Sequence, residues 1–208
     1  MNNLAYSKQK SEDVAPQVEE ILRKDLGMNV AVPYSVAEAG GAVGAIESIA
    51  QDAAKFFFGG NETLLFKLKF DIASPRTASI QVNINRQGIG CHAGSVTFST
   101  FINKTIGGEV SLEEPKTFGT SKFVGDAGAT AKLNGNKDLL KAADKFARVK
   151  SNMGGVELKM NRYFKLIPAS NGTHIVVITF PRALSMGFSA TTDAKDFFTL
   201  AAMIEAAL

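Results

Sequence analysis

The sequence predicts an α+β fold. It reads as a mainly antiparallel sheet of about six to seven strands covered by helices, with a C-terminal helix packed on the sheet and a helical segment at the N-terminal end. Three observations lead there. Apolar residues fall on alternate positions over residues 64–72, 80–84 and 156–166, the period of a strand with one dry and one wet face. Other blocks, 41–58, 136–149 and 192–208, repeat their apolar residues at helical spacing. Strands follow one another across short turns rather than alternating with helices, which excludes a βαβ series and favours an antiparallel meander.

Taken in order, residues 1–10 read as a loose tail, residues 11–60 as a helical segment and residues 63–208 as a sheet with two helices, all in a single domain. Ser11 can cap a helix to about Leu26, whose apolar stripe is Val14, Val18, Ile21 and Leu22. Asn29–Tyr34 is a short connection broken by Pro33. The block 41–58 has Ile46, Ile49, Ala53 and Phe57 on one face and Glu47, Gln51 and Asp52 on the other, and Gly59-Gly60 stops it. Strands follow at 64–72 and 80–85, joined by the turn Ser74-Pro75-Arg76-Thr77, and a third around Val96, Phe98 and Ile102. Short strands are expected near 116–124 and 129–133. Asn136 caps a helix to about Val149, with Leu139, Leu140, Ala143 and Phe146 on its covered side. Residues 156–166 form one strand, and Asn171-Gly172 turns the chain with the positive φ that a tight connection requires. Ile175–Phe180, apolar on both faces, reads as a central strand. Phe197, Leu200, Ala201, Ile204 and Leu208 line the last helix.

At 208 residues with 45% hydrophobic content the chain can bury a sizeable core. Its net charge of +3 is unevenly spread: residues 1–62 carry five Lys/Arg against nine Asp/Glu, and the remainder is basic. Cys91 is the only cysteine, which excludes an internal disulfide and a Cys-rich zinc site. The first residues have no apolar run, and no segment approaches the ~20 apolar residues of a spanning helix. The expectation is a cytoplasmic protein that does not span a membrane.

No catalytic signature is found: neither a glycine-rich phosphate loop, a metalloprotease helix nor a nucleophile elbow occurs. Cys91 and His92 are adjacent, so on an extended chain they point to opposite faces and cannot pair as nucleophile and base. Together with His174 they have no metal-ligand spacing. No catalytic residue, metal or cofactor is expected.

Two features carry chemistry. Arg162 occupies a position where the alternation of Met160 and Phe164 calls for an apolar residue. A buried guanidinium costs several kcal/mol unless it is paired. A bulge, an acid such as Asp193, Asp196 or Glu205, or the anionic head of a ligand would each account for it. The second feature is a stripe of Lys137, Lys141, Lys145 and Arg148 at intervals of four, four and three, to which the wet face of the sheet adds Lys67, Lys69, Lys159 and Lys165. Asp138 and Asp144 dilute the stripe, and no set of aromatics accompanies it for base stacking. A solvated face is therefore preferred there to binding of nucleic acid or an anionic surface.

A curved antiparallel sheet closed by a C-terminal helix resembles the helix-grip lipid-carrier architecture at the level of its layers, without a shared motif. That resemblance and Arg162 together set the leading expectation, a non-enzymatic binding protein for a small apolar or amphipathic, even anionic, ligand held between sheet and C-terminal helix. Met160, Arg162, Phe164, Met186, Phe188 and Phe198 would contact it. The alternative is a partner-binding or self-assembling structural protein, a homo-oligomer using helix 41–58 or a free sheet edge.

Overall fold

The computed structural model describes residues 15–16, 19–20, 23, 34–38, 63–87, 90–113, 119–153, 156–161, 163–179 and 190–208. Ten strands are described: β1 Tyr34–Glu38, β2 Thr63–Ile72, β3 Ala78–Gln87, β4 Gly90–Ile102, β5 Val110–Glu113, β6 Lys122–Gly125, β7 Arg148–Met153, β8 Val156–Asn161, β9 Tyr163–Ala169 and β10 Gly172–Thr179. The helices are α1 Ala127–Gly135, α2 Lys137–Ala147 and α3 Ala190–Ala207. Eight strands hydrogen-bond in the order β1-β2-β3-β4-β10-β9-β5-β6, and β7 with β8 forms a separate two-stranded sheet. Every strand pair with a described register is antiparallel. The α+β class with an antiparallel sheet and a C-terminal helix is what the sequence leads one to expect.

The chain divides into two compact units, Met1–Phe98 with Ile178–Ala194 and Ser99–Val177 with Lys195–Leu208. In the first, the β2–β3 hairpin follows the alternation of its sequence. Phe70 stands opposite Ile80 and Ile72 opposite Ala78, and all four are buried while Lys69 and Asp71 between them are exposed. Pro75 follows a cis peptide bond in the turn between them. Within the N-terminal stretch, Ala15, Pro16, Glu19, Glu20 and Arg23 are helical, as the pattern predicts, and Arg23 forms an ion pair with Glu19 one turn earlier. The helix expected over 41–58 lies outside the described residues.

The second unit departs further from the sequence pattern. Ala129–Leu133 is part of helix α1, not a strand. Asp126 decides this: its Oδ1 accepts a hydrogen bond from the Ala129 backbone N–H at 2.7 Å, an N-cap that commits the alanine-rich stretch to a helix. Asn136 then acts twice. Its backbone N–H closes α1 on the Leu133 carbonyl at 3.3 Å, and its Oδ1 caps α2 through Leu139 N at 3.0 Å. Helix α2 ends at Ala147, two residues before the expected Val149, because Arg148 already pairs as a strand with Asn161. The single strand expected over 156–166 is two. β8 pairs with β7 and β9 pairs with β5, in different sheets.

β10 lies between β4 and β9, and Ile175, Val176 and Val177 are all buried, as a central strand requires. Leu133, Leu139, Ala143, Phe146, Phe164, Leu166, Phe197, Leu200, Ala201 and Ile204 complete this core. Lys132 Nζ donates to the Leu208 carbonyl at 2.8 Å, tying α1 to the end of the chain.

Candidate anion-binding face

Strand β6 is the last in the sheet order, so one row of its backbone groups has no strand to pair with. Two side chains take that place. Asn134, on α1, accepts from Phe123 N at 2.9 Å through Oδ1 and donates from Nδ2 to Phe123 O at 2.8 Å. Its carboxamide thus copies the hydrogen bonds of a neighbouring strand. Asp144, on α2, accepts from both the backbone N–H and the hydroxyl of Ser121 through Oδ1, each at 2.8 Å. Ser121 is completely buried, so this carboxylate satisfies two donors that have no access to water.

This clamp orients α2. Leu139, Ala143 and Phe146 face the core, Lys137, Lys141 and Lys145 project from the exposed side, and Asp144 borders the lysines, about 20° from Lys137 around the helix. At 100° per residue the three lysines occupy an arc of about 80° centred opposite the core, and at 1.5 Å per residue they span about 12 Å. None of them makes a hydrogen bond or ion pair with a described residue. Two acids border the row. Asp144 is bound to Ser121, and Asp138 sits in the first turn of α2, where the helix dipole favours an acid.

The lysines on the sheet differ. Lys69 pairs with Asp71 at 3.0 Å, and Lys165 pairs with Glu109 at 2.9 Å with its Nζ 5.5 Å from the centre of the Tyr163 ring. Tyr163 first, then Glu109, raise the Lys165 ammonium above its ordinary value against the opposing effect of burial. It keeps its charge but offers it to neighbours already present.

The wall expected for a small ligand is only partly placed. Arg162, Met186 and Phe188 lie outside the described residues, and Met160 is described only as a member of β8. Phe164 is 2% exposed and stacks edge-on against Phe123 with ring centres 6.0 Å apart. Phe198 is 7% exposed beside Phe197, with ring centres 5.7 Å apart. Both serve as core residues. Of the basic stripe, Arg148 is placed at the start of β7.

His174 packs edge-on against Phe101. Among the described residues no group of three His, Cys, Asp or Glu side chains could hold a metal ion, and no helix is long and apolar enough to cross a membrane. No protein-family model matches the chain, and no curated protein or solved structure matches it.

The clamp residues Asn134 and Asp144 escape a reading of the sequence because their partners lie 11 and 23 residues away. The one visible signal is an acid at the margin of an apolar helical stripe. Replacing Asp144 by Ala is expected to cost about 2–4 kcal/mol, because two buried donors on Ser121 lose a charged acceptor. Asp144→Asn keeps an acceptor oxygen and should cost about 1 kcal/mol. Urea unfolding of the two variants measures the difference, and equal losses would remove the carboxylate from this role.

Proposed function

We propose that the protein is a non-enzymatic binding protein that takes double-stranded nucleic acid, through its phosphates, on the lysine face of α2. The observation that carries this reading is that Lys137, Lys141 and Lys145 are exposed without a described partner while Asp144 is engaged by Ser121. Duplex DNA presents one negative charge per about 1.7 Å of axis, so several phosphates come within reach of a row about 12 Å long. Each lysine that replaces condensed counterions gains their release.

Two competing surfaces fit less well. An interfacial membrane helix needs an apolar face to insert, and the apolar residues Leu139, Ala143 and Phe146 of α2 are buried in the fold. A single strand is usually gripped by aromatic side chains that stack on its bases, and among the described residues of α2 the exposed ones are Lys137, Asp138, Lys141 and Lys145. Lysines that contact phosphates confer position and affinity but no base preference.

Fluorescence anisotropy with a labelled mixed-sequence duplex of about 20 base pairs tests the proposal. Binding in the range of about 10⁻⁴ to 10⁻⁶ M is expected at physiological salt, with no dependence on sequence. The K137Q/K141Q/K145Q variant should lose most of it, and vesicles of anionic phospholipid should not be retained. Absence of duplex binding at low salt, or equal binding by the variant, would overturn the reading.

A further inference from the structure

We infer that α2 lies along one phosphate strand of the duplex rather than inside the major groove, so that DNA and RNA duplexes are bound alike. This placement rests on the nucleic-acid reading of α2 and specifies how the helix meets its partner.

Five charges on the helix define it. Measured around α2 from Lys137, Lys141 stands at about 40° and Lys145 at about 80°, while Asp144 stands at about −20° and Asp138 at about 100°. Along the axis Asp138 is level with Lys137 to about 1.5 Å, and Asp144 is equally level with Lys145. The three lysines therefore form one diagonal of this face, and the two acids occupy the corners off it. Successive lysines are four residues apart, so the diagonal is a ridge inclined by about 26° to the helix axis. The donors that hold Asp144, the Ser121 N–H and hydroxyl, are neutral and leave its negative charge beside the row. Asp138 is exposed at the opposite corner. Phosphates that follow the ridge meet three ammonium groups, whereas phosphates that cross it meet an acid.

Entry into the major groove asks for a different face. A helix there lies between two walls of phosphates, so both of its flanks need to be clear. With side chains it is about 10–12 Å across in a groove about 12 Å wide, which leaves no room for another element beside it. On the Asp144 flank another element is present. Ser121 N and Oγ each lie 2.8 Å from Asp144 Oδ1, and β6 continues from there at Lys122. Both flanks also turn an acid towards the walls. A single backbone laid on the ridge avoids both obstacles. The major groove of an RNA duplex is too deep and narrow for side chains to read, but its phosphates remain open to a ridge that needs one strand only.

Anisotropy with DNA and RNA duplexes of one mixed sequence, about 20 base pairs each, tests this at matched low salt. The two are expected to bind within about threefold of each other, and K137Q/K141Q/K145Q should lose both. D138N should bind either duplex about 2- to 5-fold more tightly, an advantage that shrinks as salt screens the charge. RNA binding weaker than DNA binding by more than about tenfold would put α2 in the groove and overturn the inference. D138N binding no tighter than the unmodified chain would also overturn it. In either case the α2 reading stands so long as K137Q/K141Q/K145Q loses DNA binding. If the unmodified chain binds no duplex, or that triple variant binds as well as it does, both fall.

Discussion

Gly125→Ala is expected to destabilise the protein by about 3–5 kcal/mol. Gly125 ends β6 with φ +126°, a conformation that side chains rarely adopt, and a Cβ there would lie 2.1 Å from the Glu109 carbonyl oxygen. Backbone strain of about 1–3 kcal/mol and overpacking of similar size add. The obstacle is main chain, so no rotamer change relieves it. The neighbouring residue explains why the chain approaches so closely. Asp126 N donates to the same Glu109 oxygen at 3.1 Å while its side chain caps α1. One glycine thus lets the edge strand turn at once into the helix pair that closes it. Loss of that turn would disturb the Asn134 and Asp144 clamps and with them the orientation of the lysine row. Thermal unfolding should show a Tm lower by roughly 6–20 °C.

The second large effect is expected at Gly172, where Ala should cost about 3 kcal/mol or more. The sequence suggests this glycine for its freedom to take positive φ, yet among the described glycines only Gly119 and Gly125 do so. Space is the reason instead. A Cβ on Gly172 would sit 2.3 Å from the Ile102 carbonyl oxygen and 2.3 Å from Cζ of Phe101. The adjacent Thr173 is buried and donates its hydroxyl to the Lys104 carbonyl, so the start of β10 has little room to shift. Gly135 is the internal control. It ends α1 with nothing within 4 Å of where a methyl group would stand, and Gly135→Ala should leave stability within about 1 kcal/mol. Similar Tm values for all three alanine variants would contradict the packing described.

Much of the architecture is legible in the sequence, because it depends on short-range pattern. The alternation at Leu68, Phe70 and Ile72, the two-sided run Ile175–Val177 and the Asn136 cap each identify an element from a few consecutive residues. What resists reading depends on distant partners. Ala129–Leu133 alternates as a strand would and becomes a helix because Asp126 caps it. The run from Val156 to Leu166 keeps one period across two strands, since β8 and β9 each have a wet and a dry side while pairing in different sheets. The site divides in the same way. The lysine stripe of α2 follows from helical spacing, but the direction in which Asp144 turns depends on Ser121, which is 23 residues away. For the apolar ligand, the pattern that singles out Phe164 and Phe198 is the same one that singles out core residues, and both belong to the core.

Duplex binding depends most on the lysine row being open to phosphates, and a salt series measures that most directly. Duplex affinity is followed by anisotropy from low to moderate salt for the unmodified chain and for K137Q/K141Q/K145Q. The slope of log Kobs against log salt should be shallower in the variant by about 2.7, three phosphates at about 0.9 each. Parallel slopes for the two proteins, or affinity that does not change with salt, would contradict it.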